Sequence, residues 1–163
     1  MANTLTSTEH LAALDRTRTA VLVRFRLSPE LLERCYAPGK WTARQVLVHI
    51  VDTETVLFDR LRRILAEDTP PLVAFDQDRW TARLGGATRP LHEARQLFSA
   101  THATLRRLVA DMSAEDWIRT GLHSERGPVT AESVVILAHK HCTHHLEQIA
   151  AAVDGRVWRA VEV

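Results

Sequence analysis

The sequence predicts an all-α fold, a four-helix bundle with short helices in its connections. Three observations lead there. Four long stretches repeat apolar residues every three or four positions, and helix-capping patterns stand at their starts. No glycine-rich phosphate loop, βαβ alternation or internal repeat interrupts them. The first helix opens at Thr6-Ser-Thr-Glu9, a capping box in which the Thr6 hydroxyl accepts from a first-turn amide while Glu9 reaches back. Leu11, Leu14, Ala20 to Leu22 and Phe25 carry its apolar stripe as far as Leu27. Ser28-Pro29-Glu30 starts a short helix to Cys35, because proline suits the first turn, and Ala37-Pro38-Gly39 stops it.

The second long helix opens at Thr42, where Gln45 completes another capping box, and runs to Glu67. Val46, Ile50, Leu57, Leu61 and Ile64 share one face, and Thr69-Pro70-Pro71 ends it. A looser segment from Leu72 to Gly86 holds a short helix from Asp76 to Leu84. The third helix covers Pro90 to Asp111, with Leu91, Ala94, Leu97, Phe98, Leu105 and Leu108 inward. Ser113 to Asp116 caps a short turn bearing Trp117, and Arg119 to Pro128 forms a loop or a small hairpin. The fourth helix runs from Thr130 to Val153, closed by Asp154-Gly155.

Composition narrows the function classes. A chain of 163 residues suits one domain over residues 1–163, long enough to close a core. Its 21 basic and 20 acidic residues nearly cancel, which argues against a nucleic-acid binder and against an acidic membrane surface as partner. The opening, Met1 to Glu9, lacks the basic-then-apolar pattern of a signal peptide, and no apolar run approaches the roughly 18 residues of a membrane span. Cys35 and Cys142 are too few for a disulfide framework. A soluble cytoplasmic protein is the expectation. The oddity is the presence of 9 histidines.

Direction on the helices sorts those histidines. A helix turns about 100° per residue, so His141 and His145 stand about 40° apart, one turn above the other. Two imidazoles at this spacing can reach one metal ion, as in HExxH zinc helices. His144 competes for the pairing, but Val134, Ala138, Cys142, Ile149 and Val153 define an inward arc that contains His145, has His141 at its edge and leaves His144 towards solvent or a rim. His49 lies at the edge of the stripe on the second helix, where a third imidazole would meet the other two across the bundle. Three histidines on a divalent ion leave a position open, as catalytic sites do. Spacing and direction alone leave open a plainer alternative, histidines gathered at helix edges without a metal. Cys142 reads as a small buried hydrophobe, and His10, His92 and His139 as surface residues.

Trp41 to His49 followed by Ile50-Val51-Asp52, together with His141 to His145 followed by Leu146-Glu147-Gln148-Ile149, resembles the second-helix and final-helix signatures of the DinB/YfiT-like superfamily of metal-binding four-helix bundles. Phe75 to Trp80, Glu115-Asp116-Trp117 and Gly121 to Gly127 resemble the connections of that family, in the right order. The resemblance implies an up-down-down-up bundle holding one divalent ion, usually nickel or zinc, on His49, His141 and His145. It also suggests Gln148 and Asp52, each one turn beyond a ligand, as hydrogen-bond partners that orient the ligands. His102 departs from relatives that often carry arginine in that part of the third helix, which puts the substrate class in doubt. Arg60, Trp80, His102 and His123 are the candidate pocket walls, and His144 lies at its approaches.

The activity implied by the resemblance is thiol transfer with a low-molecular-weight thiol, such as bacillithiol or mycothiol, in detoxification or isomerisation. The expected partners are therefore a small-molecule thiol and an electrophile. A cationic centre suits this chemistry, because it lowers the pKa of a coordinated thiol. Metal-dependent hydrolysis ranks second, since no glutamate stands beside the ligands as in HExxH, and Glu54 and Glu147 point away. A non-catalytic, stress-related metal-binding bundle is the third reading. The apolar outer positions Ile136 and Leu146 leave room for a homodimer.

Overall fold

The capping residues that punctuate the sequence begin the helices of the protein. The side chains of Thr6, Thr42 and Ser113 each accept from the backbone three residues on, and Glu9, Gln45 and Asp116 complete the reciprocal half of each box. In the computed structural model, which describes residues 6–159, the order is α1 (Ser7–Arg24), α2 (Pro29–Leu32), α3 (Ala43–Ala66), β1 (Pro71–Leu72), α4 (Gln77–Arg83), α5 (Leu91–Asp111), α6 (Ala114–Ile118), β2 (Thr120–His123), β3 (Gly127–Thr130) and α7 (Ala131–Val153). The opening Met1 to Leu5, part of the stretch read for a leader signal, lies outside the described residues.

The four long helices form a bundle in which α1 and α3 both pack against α5 and α7, so that α1 faces α3 across a diagonal. Their directions follow from the side chains that meet. Asp15 takes Arg106 while Arg18 reaches Ser99, which makes α1 and α5 antiparallel. Arg44 reaches the Arg89 carbonyl just before α5, and Glu54 meets His102 ten residues further along α3, so α3 and α5 run parallel. His49 meets His141 while Leu57 and Leu137 line one cavity, so α3 and α7 are antiparallel. The order is up-down-down-up.

Two apolar levels fill the interior. One gathers Val21, Val46, Ile50, Phe98, Cys142 and Ile149, and the other Leu14, Leu57, Leu61, Leu105, Val109 and Val134. Between them lies a polar layer. His102 is 0% exposed and Glu54 is 1% exposed. His102 Nδ1 is 2.7 Å from Glu54 Oε1, and Nε2 is 3.1 Å from the Leu14 carbonyl. That carbonyl can only accept, so Nε2 carries a hydrogen. One further proton between Nδ1 and Oε1 leaves the pair neutral as a unit. It joins α1, α3 and α5, and it removes His102 from the pocket wall expected of it.

Arg119 to Pro128 resolves as a hairpin. Strands β2 and β3 pair antiparallel, and a three-residue loop ends on Gly127 at φ 71°. The two-residue β1, at the junction of the Thr69-Pro70-Pro71 stop and the looser segment from Leu72, pairs parallel with β2. The Arg119 guanidinium donates to the Ile64 and Glu67 carbonyls at the end of α3 and pins the hairpin there. At Gly121 an added Cβ would stand 2.8 Å from Leu72 Cδ1, so any larger residue would make Leu72 shift or lift β2 away. This docking carries the hairpin tip towards α3 and α7.

Two histidines expected at the surface are buried. His10 is 1% exposed and stacks on Trp117 at 5.1 Å, and His139 packs tilted against it at 5.8 Å. The inward arc of α7 was drawn for one partner, whereas α7 is covered by α3, α1 and α6, and His139 points at α1. His92 is exposed as expected.

Candidate metal centre

The capping box at Thr42 and Gln45 fixes where α3 begins, and His49 follows two turns later. Thr130 caps α7 in the same manner, with its hydroxyl accepting from the Ser133 amide. The antiparallel packing of these two helices brings His49, His141 and His145 together. One ring nitrogen from each lies within 4.8 Å of the others. His49 Nε2 and His141 Nε2 are 3.0 Å apart. Trp41 leans on the His49 ring at 4.8 Å.

Burial and mutual repulsion keep the three rings neutral. The pKa of His49 is pulled down to about 3 by burial, then by His145 and His144. His141 falls to about 2, through burial first and then His145, His49 and His144. His145 falls to about 4 because burial outweighs the opposing hydrogen bond from Gln148. Neutral imidazoles keep the lone pairs that a metal ion requires. His145 Nδ1 sits 2.7 Å from Gln148 Oε1, an acceptor, so its hydrogen is on Nδ1 and its Nε2 lone pair is free. Three neutral ring nitrogens converging on one point, two from buried residues and one from a half-buried residue, fit a divalent metal ion.

Two clefts reach this cluster, and His141 and Gln77 line both. The first, about 360 Å³, is walled by His49, Thr53, Arg60, Phe75, His123 and Arg126 among others. The second, about 450 Å³, is walled by Tyr36, Lys40, Trp41, His144, His145 and Gln148 among others. His123 Nδ1 accepts from the Glu125 amide at 3.2 Å, so in the neutral ring the hydrogen sits on Nε2. Burial and then Arg60 and Arg126 push the His123 pKa down, which favours that neutral ring.

The other expected residues fall as follows. Gln148 is buried against His145, and His144 is an exposed rim residue near Trp158. Asp52 does not reach His49, because its carboxylate takes both terminal nitrogens of Arg89, at 2.6 and 3.3 Å. Trp80 packs on Phe75 at 4.7 Å and lines a neighbouring groove with Arg60, outside both clefts. Glu54 points away from the triad, into the polar layer with His102. Gln77 and Arg126 escaped the sequence reading. They lie inside the connections Phe75 to Trp80 and Gly121 to Gly127, and only the long-range docking of those connections singles them out.

Comparison with known families decides the affiliation: a family model of the DinB superfamily matches residues 13–149. The chain belongs to the DinB superfamily. This DinB chain is 30% identical over 132 residues to a protein of Oceanobacillus iheyensis provisionally named a metal-dependent hydrolase, a match covering 81% of this chain and 76% of that protein. A Bacillus pumilus protein of the same provisional name is 27% identical over 134 residues, covering 82% of this chain and 76% of the relative. Among solved structures, YfiT from Bacillus subtilis, described as a four-helix bundle of unusual topology, superposes with a TM-score of 0.87 at 20% identity over 98% of this chain and 94% of its own. A mycothiol-dependent maleylpyruvate isomerase superposes with a TM-score of 0.72 at 17% identity, over 94% of this chain and 65% of that one. Both likenesses are likenesses of fold. No helix among the described residues is long and apolar enough to cross a membrane.

Proposed function

We propose that this DinB protein is a metal-dependent thiol S-transferase, with His49, His141 and His145 as the metal ligands and a low-molecular-weight thiol as cosubstrate. The observation that carries this reading is the pair of clefts that meet at the triad, one bounded by His49 and the other by His145. A reaction between two organic molecules needs two approaches to one centre. A divalent ion held there supplies the positive charge that stabilises a thiolate near neutral pH. The chain supplies the rest. Gln148 fixes the His145 tautomer, Trp41 covers the His49 ring, and burial keeps all three imidazoles unprotonated. The thiol sulfur loses its proton to solvent, forms a bond to an electrophilic carbon, and the leaving group departs from that carbon.

Hydrolysis is the second reading, favoured by the provisional names of the relatives. In the HExxH manner it draws on a side chain that takes a proton from the bound water. His123 presents a hydrogen on Nε2 and has its Nδ1 occupied, and Glu54 is committed to His102. A thiol is far more acidic than water and depends less on such a base. The test is a turnover assay of the metal-loaded protein with monochlorobimane and a panel of small thiols. Thiol-dependent conjugation with loss of chloride is expected, and it should vanish in His145→Ala. Conjugation at wild-type rate in that variant, or none with any thiol, overturns the proposal.

A further inference from the structure

Arg60 is a buried cation that forms no ion pair among the described residues. The residue is 8% exposed. Its guanidinium makes one hydrogen bond, from Nη2 to the Val73 carbonyl at 2.8 Å, and its Nε is buried without a partner. Among the described residues no carboxylate comes within ion-pair distance of it, whereas Arg89, Arg106 and Arg63 each hold an aspartate. A charge removed from water is ordinarily paired, because leaving it alone carries a large desolvation penalty. Burial, and then the like charge of Arg126, lowers the pKa of Arg60 against the weaker opposing pull of Glu125, which lies beyond ion-pair distance.

The surroundings show what is missing. Arg60 lines the first cleft, whose walls also include His49 and His141. His123, 6% exposed, turns its Nε2–H away from the hairpin backbone that holds Nδ1. Arg126 stands exposed at the hairpin tip, on the same cleft. Two carboxylates line the cleft as well, and neither forms an ion pair with Arg60. Asp76 is spent capping α4 through the Arg79 amide at 2.9 Å, and Glu125 is exposed at the tip. The donors are thus a guanidinium and an imidazole N–H beside the histidine triad, in a cleft the size of a small organic molecule. A guanidinium matches a planar carboxylate through parallel hydrogen bonds.

We propose that Arg60, with His123 and Arg126, forms a carboxylate-binding subsite in the first cleft, so that the electrophile processed at this centre is a small carboxylic acid. The inference rests on the thiol-transfer reading for the word electrophile. The subsite itself stands on the unpaired guanidinium.

The first experiment measures binding without turnover. Titration calorimetry compares acetate with acetamide, and benzoate with benzamide, on wild type and Arg60→Gln, each with and without bound metal. A charge-assisted contact predicts that wild type prefers each acid over its amide by about tenfold or more, and that the preference disappears in Arg60→Gln. Thermal unfolding of Arg60→Gln should match wild type or exceed it, since an unpaired buried charge is removed. Equal affinity for acid and amide, or a preference that survives the substitution, overturns the subsite. The second experiment asks which substrate carries the carboxylate. Chloroacetate is compared with chloroacetamide, and cysteine with cysteamine, by kcat/KM. An Arg60-dependent preference for chloroacetate supports the proposal, and one confined to cysteine overturns its assignment to the electrophile. If no thiol turns over while the calorimetric preference holds, the thiol-transfer reading fails and the carboxylate subsite remains.

Discussion

Replacing Glu54 with alanine removes the carboxylate that touches His102 and leaves the ring sealed in the bundle. The two side chains are 1% and 0% exposed, so water cannot take the place of the lost acceptor. His102 then has one satisfied nitrogen, on the Leu14 carbonyl, and one orphan facing apolar neighbours. Breaking a buried pair from one side costs about 3–5 kcal/mol, most of it from the uncompensated partner. For a chain of this length that lowers Tm by about 6–20 °C, at 2–4 °C per kcal/mol. Glu54→Gln offers an amide N–H that can donate to Nδ1 of the neutral ring but loses the shared proton, so its cost falls to about 1–3 kcal/mol. The double variant Glu54→Leu with His102→Leu removes both polar groups and recovers most of the loss. Equilibrium denaturation in urea at pH 7 measures all three. A Glu54→Ala variant within about 1 kcal/mol of wild type, the worth of an exposed pair, would refute the account of a sealed, mutually dependent pair.

Two further outcomes follow from the triad. The metal-free protein should lose stability as pH falls. The three histidines have folded pKa values of about 3, 2 and 4 against an ordinary 6.5, so the unfolded chain binds their protons first. Stability is therefore complete above pH 6.5 and declines from there towards pH 4, at about 1.4 kcal/mol per pH unit for each histidine. Urea midpoints of chelated protein that are equal at pH 7 and pH 5 would contradict this. Gln148→Leu should weaken metal affinity by about 10–100-fold, because the His145 ring is no longer held in the tautomer with a free Nε2. Competition with a chromophoric chelator measures it, and an unchanged affinity would remove Gln148 from the centre.

Much of this molecule was legible in its residues because the informative signals were local. The boxes at Thr6 and Glu9, Thr42 and Gln45, and Ser113 and Asp116 fix helix starts within a few residues of themselves. The pair His141 and His145 needs only the pitch of one helix. What stayed hidden depended on partners far away in the chain. The spacing of Asp52 one turn beyond His49 suggests a contact between them, but Arg89, beyond the intervening connection, has the stronger claim on its carboxylate. His10 and His139 looked polar and external until Trp117 closed over them. The placement of His102 required knowing that Glu54, 48 residues earlier, faces the same layer.

The wiring of the bundle bears on how it assembles. In an up-and-down bundle, neighbouring helices are joined by short turns and can form hairpins before the rest is in place. Here the shortest loop closed by a hydrogen bond between long helices, among the described residues, is the one of 48 residues from Glu54 to His102. Others span 81 for Arg18 to Ser99, 88 for Leu14 to His102 and 92 for His49 to His141. The entropy of closing such loops grows only slowly with length, but it must be met before any pair of long helices shares a face. Such non-local contacts slow folding relative to a bundle of hairpins. The triad closes the longest of these loops. An ion there acts as a latch on an assembled bundle rather than as a nucleus for its formation.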